Sequence, residues 1–247
     1  MTKTTQSTTL QSELDQSIQA EEDLSKIPSE REGSLDISDS LKCHRMRYLK
    51  YYGFHGKGVD ARGLRSFLMG RVIEKVLVAY FRYKGILVKK SQYLKHYLDP
   101  RIRGKTDFTL RRNDKKLLSE LKSYDGWGFY RRKKDPTNIS PKHEAQALNY
   151  VDILLQQGED IENQARIVEV SRDNLNFNET DPFGGVLTRP ISEVIEELHD
   201  DWKTLITAID TKQIPPVLPD FPKAKDCVWC VRIGVCKELY GKEKEQA

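Results

Sequence analysis

From residue 39 to residue 85 the large apolar side chains recur at three- and four-residue intervals, the spacing that an α-helix brings onto one face. Two helices are predicted there. Ser38 can cap the first, which runs from Asp39 to Tyr52, carries Cys43 and stops at Gly53. The second runs from Gly63 to Tyr83 and ends at Gly85, with Phe67, Ile73, Val76, Leu77, Tyr80 and Phe81 as its apolar stripe. Glu74 lies within that stripe, an uncommon place for a carboxylate. The period then shortens to two. Ile86–Lys90, Tyr93–Leu98, Gly104–Arg111 and Lys116–Ser123 read as strands, and Asn113-Asp114 joins the last two as a hairpin. Tyr124–Ser140 reads as a charged, aromatic loop, Pro141–Gln157 as a helix stopped by Gly158, and Ala165–Ser171 as a strand. Past an irregular stretch around Asp181-Pro182, Ile191–Ile209 reads as a helix leading into the proline-rich Ile214–Pro222. This order predicts an α/β fold with a mixed central sheet flanked by helices.

Composition changes the picture at the N-terminal end. Met1–Ser34 is rich in Ser, Thr, Gln and Glu and poor in large apolar residues, too poor to offset the entropy of ordering it. Residues 1–34 are therefore expected to be a disordered acidic tail, in which Leu10, Leu14, Ile18 and Leu24 are only loosely periodic. The tail carries three basic and seven acidic side chains, so the chain's net +4 leaves a basic remainder over residues 35–247. A basic body suits a polyanionic partner. At 247 residues with 38% hydrophobic content the chain can bury one core, and no apolar run is long enough to span a bilayer. The N-terminus lacks the basic-then-apolar order of a signal peptide, so a cytoplasmic protein without a membrane partner is expected. In that reducing compartment four cysteines more often bind metal than form disulfides.

The chemistry concentrates in Gly104-Lys105-Thr106-Asp107-Phe108 and Ser119-Glu120-Leu121-Lys122-Ser123. Alternate residues of a strand share a face, so Glu120 and Lys122 point the same way, and a hairpin lets Asp107 converge on them from the neighbouring strand. Hydrolysing a phosphodiester calls for a hard divalent cation held by carboxylates, with a lysine to orient water or stabilise charge. Asp107, Glu120 and Lys122 are that kit, and Glu74 on the preceding helix is the candidate third carboxylate.

Taken in order, Cys43, Gly70-x-x-x-Glu74, Gly104-x-x-Asp107, Glu120-x-Lys122, Gln146-x-x-x-Tyr150 and Cys227-x-x-Cys230-x5-Cys236 resemble the RecB-like PD-(D/E)XK nucleases that carry an iron–sulfur cluster. The likeness is to the CRISPR-associated "Cas-four" type and its phage relatives, and spans about Ile37 to Cys236. It implies a restriction-endonuclease-like fold over residues 35–247 and a Mg- or Mn-dependent deoxyribonuclease acting on DNA ends, single strands or frayed DNA. Catalysis would fall to Asp107, Glu120 and Lys122, the Mg or Mn site to Glu74, Asp107 and Glu120, and DNA positioning to Gln146 and Tyr150. The pathways implied are recombination and repair, CRISPR adaptation or phage DNA processing, with a helicase or CRISPR integrase as partner. Two positions depart from the pattern. Glu74 stands where many members have histidine, which hardens the site toward Mg or Mn, and Thr106 rather than proline precedes Asp107.

The cysteines are spaced three plus one, with Cys227, Cys230 and Cys236 within ten residues and Cys43 far away, whereas a structural zinc site usually offers two close pairs. The resemblance makes the four the ligands of a [4Fe–4S] cluster that clasps the segment 223–240 to the first helix; zinc is the alternative. Trp229, between two of them, is expected to shield the cluster from water. The stretch Asp125–Lys134 combines glycines, the aromatics Trp127, Phe129 and Tyr130, and cations including Arg131 and Arg132, a mixture that stacks on unpaired bases and binds phosphates. Two rival readings are a DNA-binding adaptor subunit with a vestigial nuclease site and a redox-sensing iron–sulfur protein.

Overall fold

The computed structural model describes residues 33–245 apart from 55, 59, 113, 136–138 and 177–185. The acidic tail up to residue 32 and the stretch around Asp181-Pro182 thus lie outside the described residues. The elements follow the order β1 (Leu35–Asp36), α1 (His44–Tyr51), α2 (Ala61–Tyr83), β2 (Leu87–Lys90), β3 (Tyr93–Lys95), β4 (Ile102–Lys105), β5 (Phe108–Arg112) and β6 (Lys115–Tyr124). They continue with α3 (Gly126–Lys134), α4 (Pro141–Gln156), β7 (Ala165–Ser171), β8 (Val186–Leu187), α5 (Ile195–Asp210), α6 (Lys225–Val228) and α7 (Ile233–Glu245). No helix among the described residues is long and apolar enough to cross a membrane.

Two sheets form. A five-stranded sheet runs β2-β5-β6-β7-β8, antiparallel except for the parallel β6–β7 pair, and a three-stranded sheet runs β1-β4-β3. The stretch Gly104–Arg111, expected as one strand, is divided between them. Lys105 ends β4 in the small sheet and Phe108 opens β5 in the large one, so Thr106-Asp107 is the joint between sheets. Thr106 holds this joint: its N–H donates to Gln92 O at 3.0 Å, and its hydroxyl accepts from Gln92 N–H at 2.9 Å. A proline there would lack the first of these bonds.

Every residue of β7 is buried, as expected of a strand covered on both faces. Ile73, Leu77, Val78 and Phe81 of α2 pack with Phe108, Leu110, Val168 and Val170 on one side. Leu118 and Ile167 join Ala147, Leu148 and Val151 of α4 and Leu198, Trp202 and Leu205 of α5 on the other. The α2 stripe is thus only half of the expected one, since Phe67, Val76 and Tyr80 are exposed. A helix with apolar residues nearly all round has a choice of faces, and the sheet takes the one through Ile73, Leu77 and Phe81.

Further differences have local causes. The first helix begins at His44, not Asp39, because Asp39 is buried and receives Lys42 Nζ and Lys50 Nζ, each at 2.7 Å, while Leu41 adopts a left-handed φ of 53°. Cys43 is its N-cap rather than a residue of its body. The stretch Tyr124–Ser140 contains a helix where a loop is expected, started by Asp125, whose Oδ1 accepts from Gly128 N–H at 2.6 Å. Helix α7 continues the cysteine segment and is tied back by Arg45, which donates to Glu243 Oε1 at 2.8 Å and to Pro215 O at 3.0 Å.

Candidate active site

Strand β6 carries Glu120 and Lys122 toward α4. Lys122 Nζ donates to Glu120 Oε1 at 3.0 Å and to Gln146 Oε1 at 2.8 Å, and Gln146 Nε2 donates to the same Glu120 oxygen at 2.7 Å. The carboxylate, ammonium and carboxamide thus form one closed triangle. Asp107 reaches β6 from the joint between sheets, its Oδ2 accepting from Leu121 N–H at 2.7 Å. Burial, then the neighbouring Glu120 carboxylate, hold the Asp107 carboxyl well above the usual carboxylate range; burial likewise raises Glu120, against the pull of Lys122. One buried and one partly buried acid beside a single lysine make a site short of positive charge. Glu120 Oε2 is buried with no hydrogen-bond partner.

Glu74 is placed by α2 on the opposite wall, close enough to add its charge to both acids. With Asp107 and Lys122 it lines a cavity of about 550 Å³, completed by Ser66, Phe67, Gly70, Arg71, Leu121, Ser123, Tyr124, His143 and Arg172. The oxygens of Glu74, Asp107 and Glu120 do not all lie within 4.8 Å of one another, so the three acids stand apart as an open set.

Helix α4 presents Gln146 and Tyr150 one turn apart. Tyr150 is buried, and the hydroxyl end of its ring lies against Gly104: a Cβ there would meet the Tyr150 hydroxyl oxygen at 2.5 Å and Cε1 at 2.8 Å. This contact accounts for the glycine three residues before Asp107. Burial and the Glu120 charge push the Tyr150 phenol up, so it remains protonated. One turn before Gln146 stands His143, which the sequence does not distinguish from a surface basic residue. It enters the cavity, with Nδ1 3.4 Å from the Tyr124 hydroxyl. Burial, then Lys122, Arg132 and Lys42, depress its pKa to about 3. Its signal in the sequence is the spacing His143, Gln146, Tyr150, which is one helical stripe.

Beyond β6, α3 divides its residues. Trp127 and Tyr130 are exposed, with the Arg131 guanidinium 4.1 Å from the Trp127 ring centre and Lys134 Nζ 4.9 Å from that of Tyr130. Phe129 is buried. Arg132, expected beside Arg131 on the DNA-facing surface, turns inward and donates from Nε to the buried Glu169 Oε1 at 2.8 Å. An unpartnered carboxylate in the sheet would cost more than an exposed arginine gains, so the pair forms.

The four cysteines are free thiols that line one cavity of about 440 Å³ between α1 and the α6–α7 segment. Trp229 lines the same cavity while remaining 84% exposed.

No family model matches the chain, and no curated protein does. Solved structures do. An alkaline exonuclease, LHK-Exo from Laribacter hongkongensis, superposes with a TM-score of 0.50 at 15% identity, covering 74% of this chain and 91% of that one. Its complex with dAMP gives 0.51 at 14% identity over the same shares. The protein SSO0001 gives 0.51 at 15% identity, covering 91% of this chain and 94% of the other. At such identities the likeness is one of fold, and the chain is folded like the alkaline exonuclease and SSO0001 over most of the length of each.

Proposed function

We propose that this protein is a Mg- or Mn-dependent DNA nuclease of the RecB-like PD-(D/E)XK type, acting on DNA ends or single strands. The observation that carries the reading is the pair of acids, partly buried Asp107 and fully buried Glu120, raised together and leaving Glu120 Oε2 without a partner among the described residues. A buried carboxylate oxygen with nothing to accept from is costly, and a hard cation is the partner that suits it. Asp107, Glu120 and Glu74 would hold that cation. When bound, it supplies charge neutralisation at the phosphate and a more acidic water. The protein's own part follows from the hydrogen bonds. Gln146 fixes Lys122 and Glu120 to each other, Leu121 N–H fixes Asp107, and Lys122 lines the cavity where a phosphate would enter. Trp127 and Tyr130, each backed by a cation, offer faces for unpaired bases. That the alkaline exonuclease shares the fold and has been crystallised with dAMP supports DNA as the substrate class.

The four thiols suit a [4Fe–4S] cluster better than zinc. The support is their spacing, three within ten residues and one at the start of α1, and the single cavity they share, where a structural zinc site usually offers two close pairs. An anaerobic preparation should therefore be brown, with broad visible absorption; a colourless zinc protein would reject the cluster.

The test of the nuclease is direct. Asp107→Ala and Lys122→Ala should each reduce Mn-dependent degradation of labelled single-stranded DNA by at least about 100-fold while leaving binding in place. Unchanged cleavage would reject this site, and binding without any cleavage by the unaltered protein would favour an adaptor role.

A further inference from the structure

On the far side of α4 from the nuclease site a second group of ligating side chains converges. His96 follows β3, Asp152 lies on α4 and His199 on α5, and one ligand atom from each lies within 4.8 Å of the other two. His199 Nε2 is 2.9 Å from Asp152 Oδ2, and His96 Nε2 is 3.7 Å from it. Asp152 comes two residues after Tyr150, about 200° further around the helix, so this group is separate from the catalytic residues.

We propose that His96, Asp152 and His199 form a transition-metal site, filled by zinc or a similar borderline cation, that clamps β3, α4 and α5 together. Several features fit. Zinc about 2.0–2.2 Å from nitrogen and oxygen ligands sets them roughly 3.3 Å apart, a value that the 2.9 and 3.7 Å separations bracket. The His96 side chain is fully buried, and its Nε2, aimed at Asp152, has no hydrogen-bond partner. Two imidazoles with one carboxylate select zinc, cobalt or nickel over magnesium. Tyr97 closes the group: its hydroxyl lies 2.8 Å from Asp152 Oδ2 and 2.9 Å from His199 Nε2, and it gives up both contacts when those atoms turn to an ion. His199 and Tyr97 are partly exposed and give the ion a way in from solvent. Four contacts must yield. Leu98 N–H donates to His96 Nδ1 at 3.2 Å, so the neutral ring carries its proton on Nε2. Filling the site moves that proton to Nδ1 and gives up this long hydrogen bond, the His199–Asp152 contact and the two Tyr97 contacts in exchange for three coordinate bonds.

Cobalt(II) titration of the full chain tests this. Asp107→Ala, whose nuclease site is disabled and whose four cysteines are already filled by the cluster, should bind one equivalent, seen by difference as weak visible bands with no added thiolate-to-metal band, and the further variants are made on this background. His199→Gln can still hydrogen-bond to Asp152 and Tyr97, so it should keep the fold and lose the equivalent. His199→Cys should recover it, now with a thiolate-to-cobalt band in the near ultraviolet. Equal stoichiometry with and without His199→Gln overturns the proposal, as does a His199→Cys protein with no added thiolate band.

Discussion

A glycine and a histidine show what single residues contribute to this site. Gly104 gives the Tyr150 ring its resting place, and alanine there would set a methyl carbon 2.5 Å from the hydroxyl oxygen. Gly104→Ala should therefore destabilise the protein by about 1–3 kcal/mol, the usual cost of overpacking, as read by urea denaturation. His143 is neutral in the fold because burial and the cations Lys122, Arg132 and Lys42 disfavour its charged form. Its folded pKa of about 3 lies below the roughly 6.5 of an unfolded histidine. The stability it contributes is present above pH 6.5 and is lost as pH falls toward 3. Melting temperatures followed from pH 7 to pH 4 should drop more steeply for the unaltered protein than for His143→Gln; parallel curves would remove His143 from the account. At this scale the sequence was most legible where spacing encodes geometry. Glu120-x-Lys122 and Gln146-x-x-x-Tyr150 each put two side chains on one face. Arg132 and Trp229 were not legible, because whether a charge or an indole turns in or out depends on what the rest of the chain puts beside it.

Among the elements, α3 departs furthest from the expected loop. Its glycines and aromatics are weak helix formers, and the helix rests on the Asp125 cap and on Phe129 and Arg132 packing inward. The consequence is a rigid rather than loose display of Trp127 and Tyr130. Trp127→Ala should weaken binding of short single-stranded DNA by about 1–3 kcal/mol, the worth of one stacked base, with little change in turnover at saturating substrate. Fluorescence anisotropy and initial rates would separate the two effects, and a loss confined to turnover would contradict a stacking role. Strand β7 and helix α4 were legible nearly to the residue, since Ile167, Val168 and Val170 mark the strand and the helix opens on Pro141 and is stopped by Gly158. The division of Gly104–Arg111 into two strands was hidden because alternation continues through it; only the tertiary hydrogen bonds of Thr106 mark the joint.

Over the whole molecule, the helices that back the large sheet are locked by buried charge. Arg47, 1% exposed in its side chain, donates to Asp201 Oδ2 at 2.7 Å and lies 4.2 Å over the Trp202 ring. Removing one partner leaves the other charged and dry, so Asp201→Ala should cost about 3–5 kcal/mol by chemical denaturation, a loss large enough to be felt in every other assay. Layering of helices on a mixed sheet follows from the order of periods in the sequence. Pairings such as Arg47 with Asp201, 154 residues apart, do not, because nothing local in either segment names the other.

The joint at Thr106-Asp107 also bears on how the molecule is made. Asp107 belongs to neither sheet, Lys122 waits for Gln146, and Gln146 waits for α4, which leaves the ribosome after the segments that carry the acids. A chain still being synthesised therefore lacks the assembled site, and so does one in which the two sheets have not yet docked. If the proposed chemistry is right, the cell's own DNA meets a working blade only once the whole tool is finished.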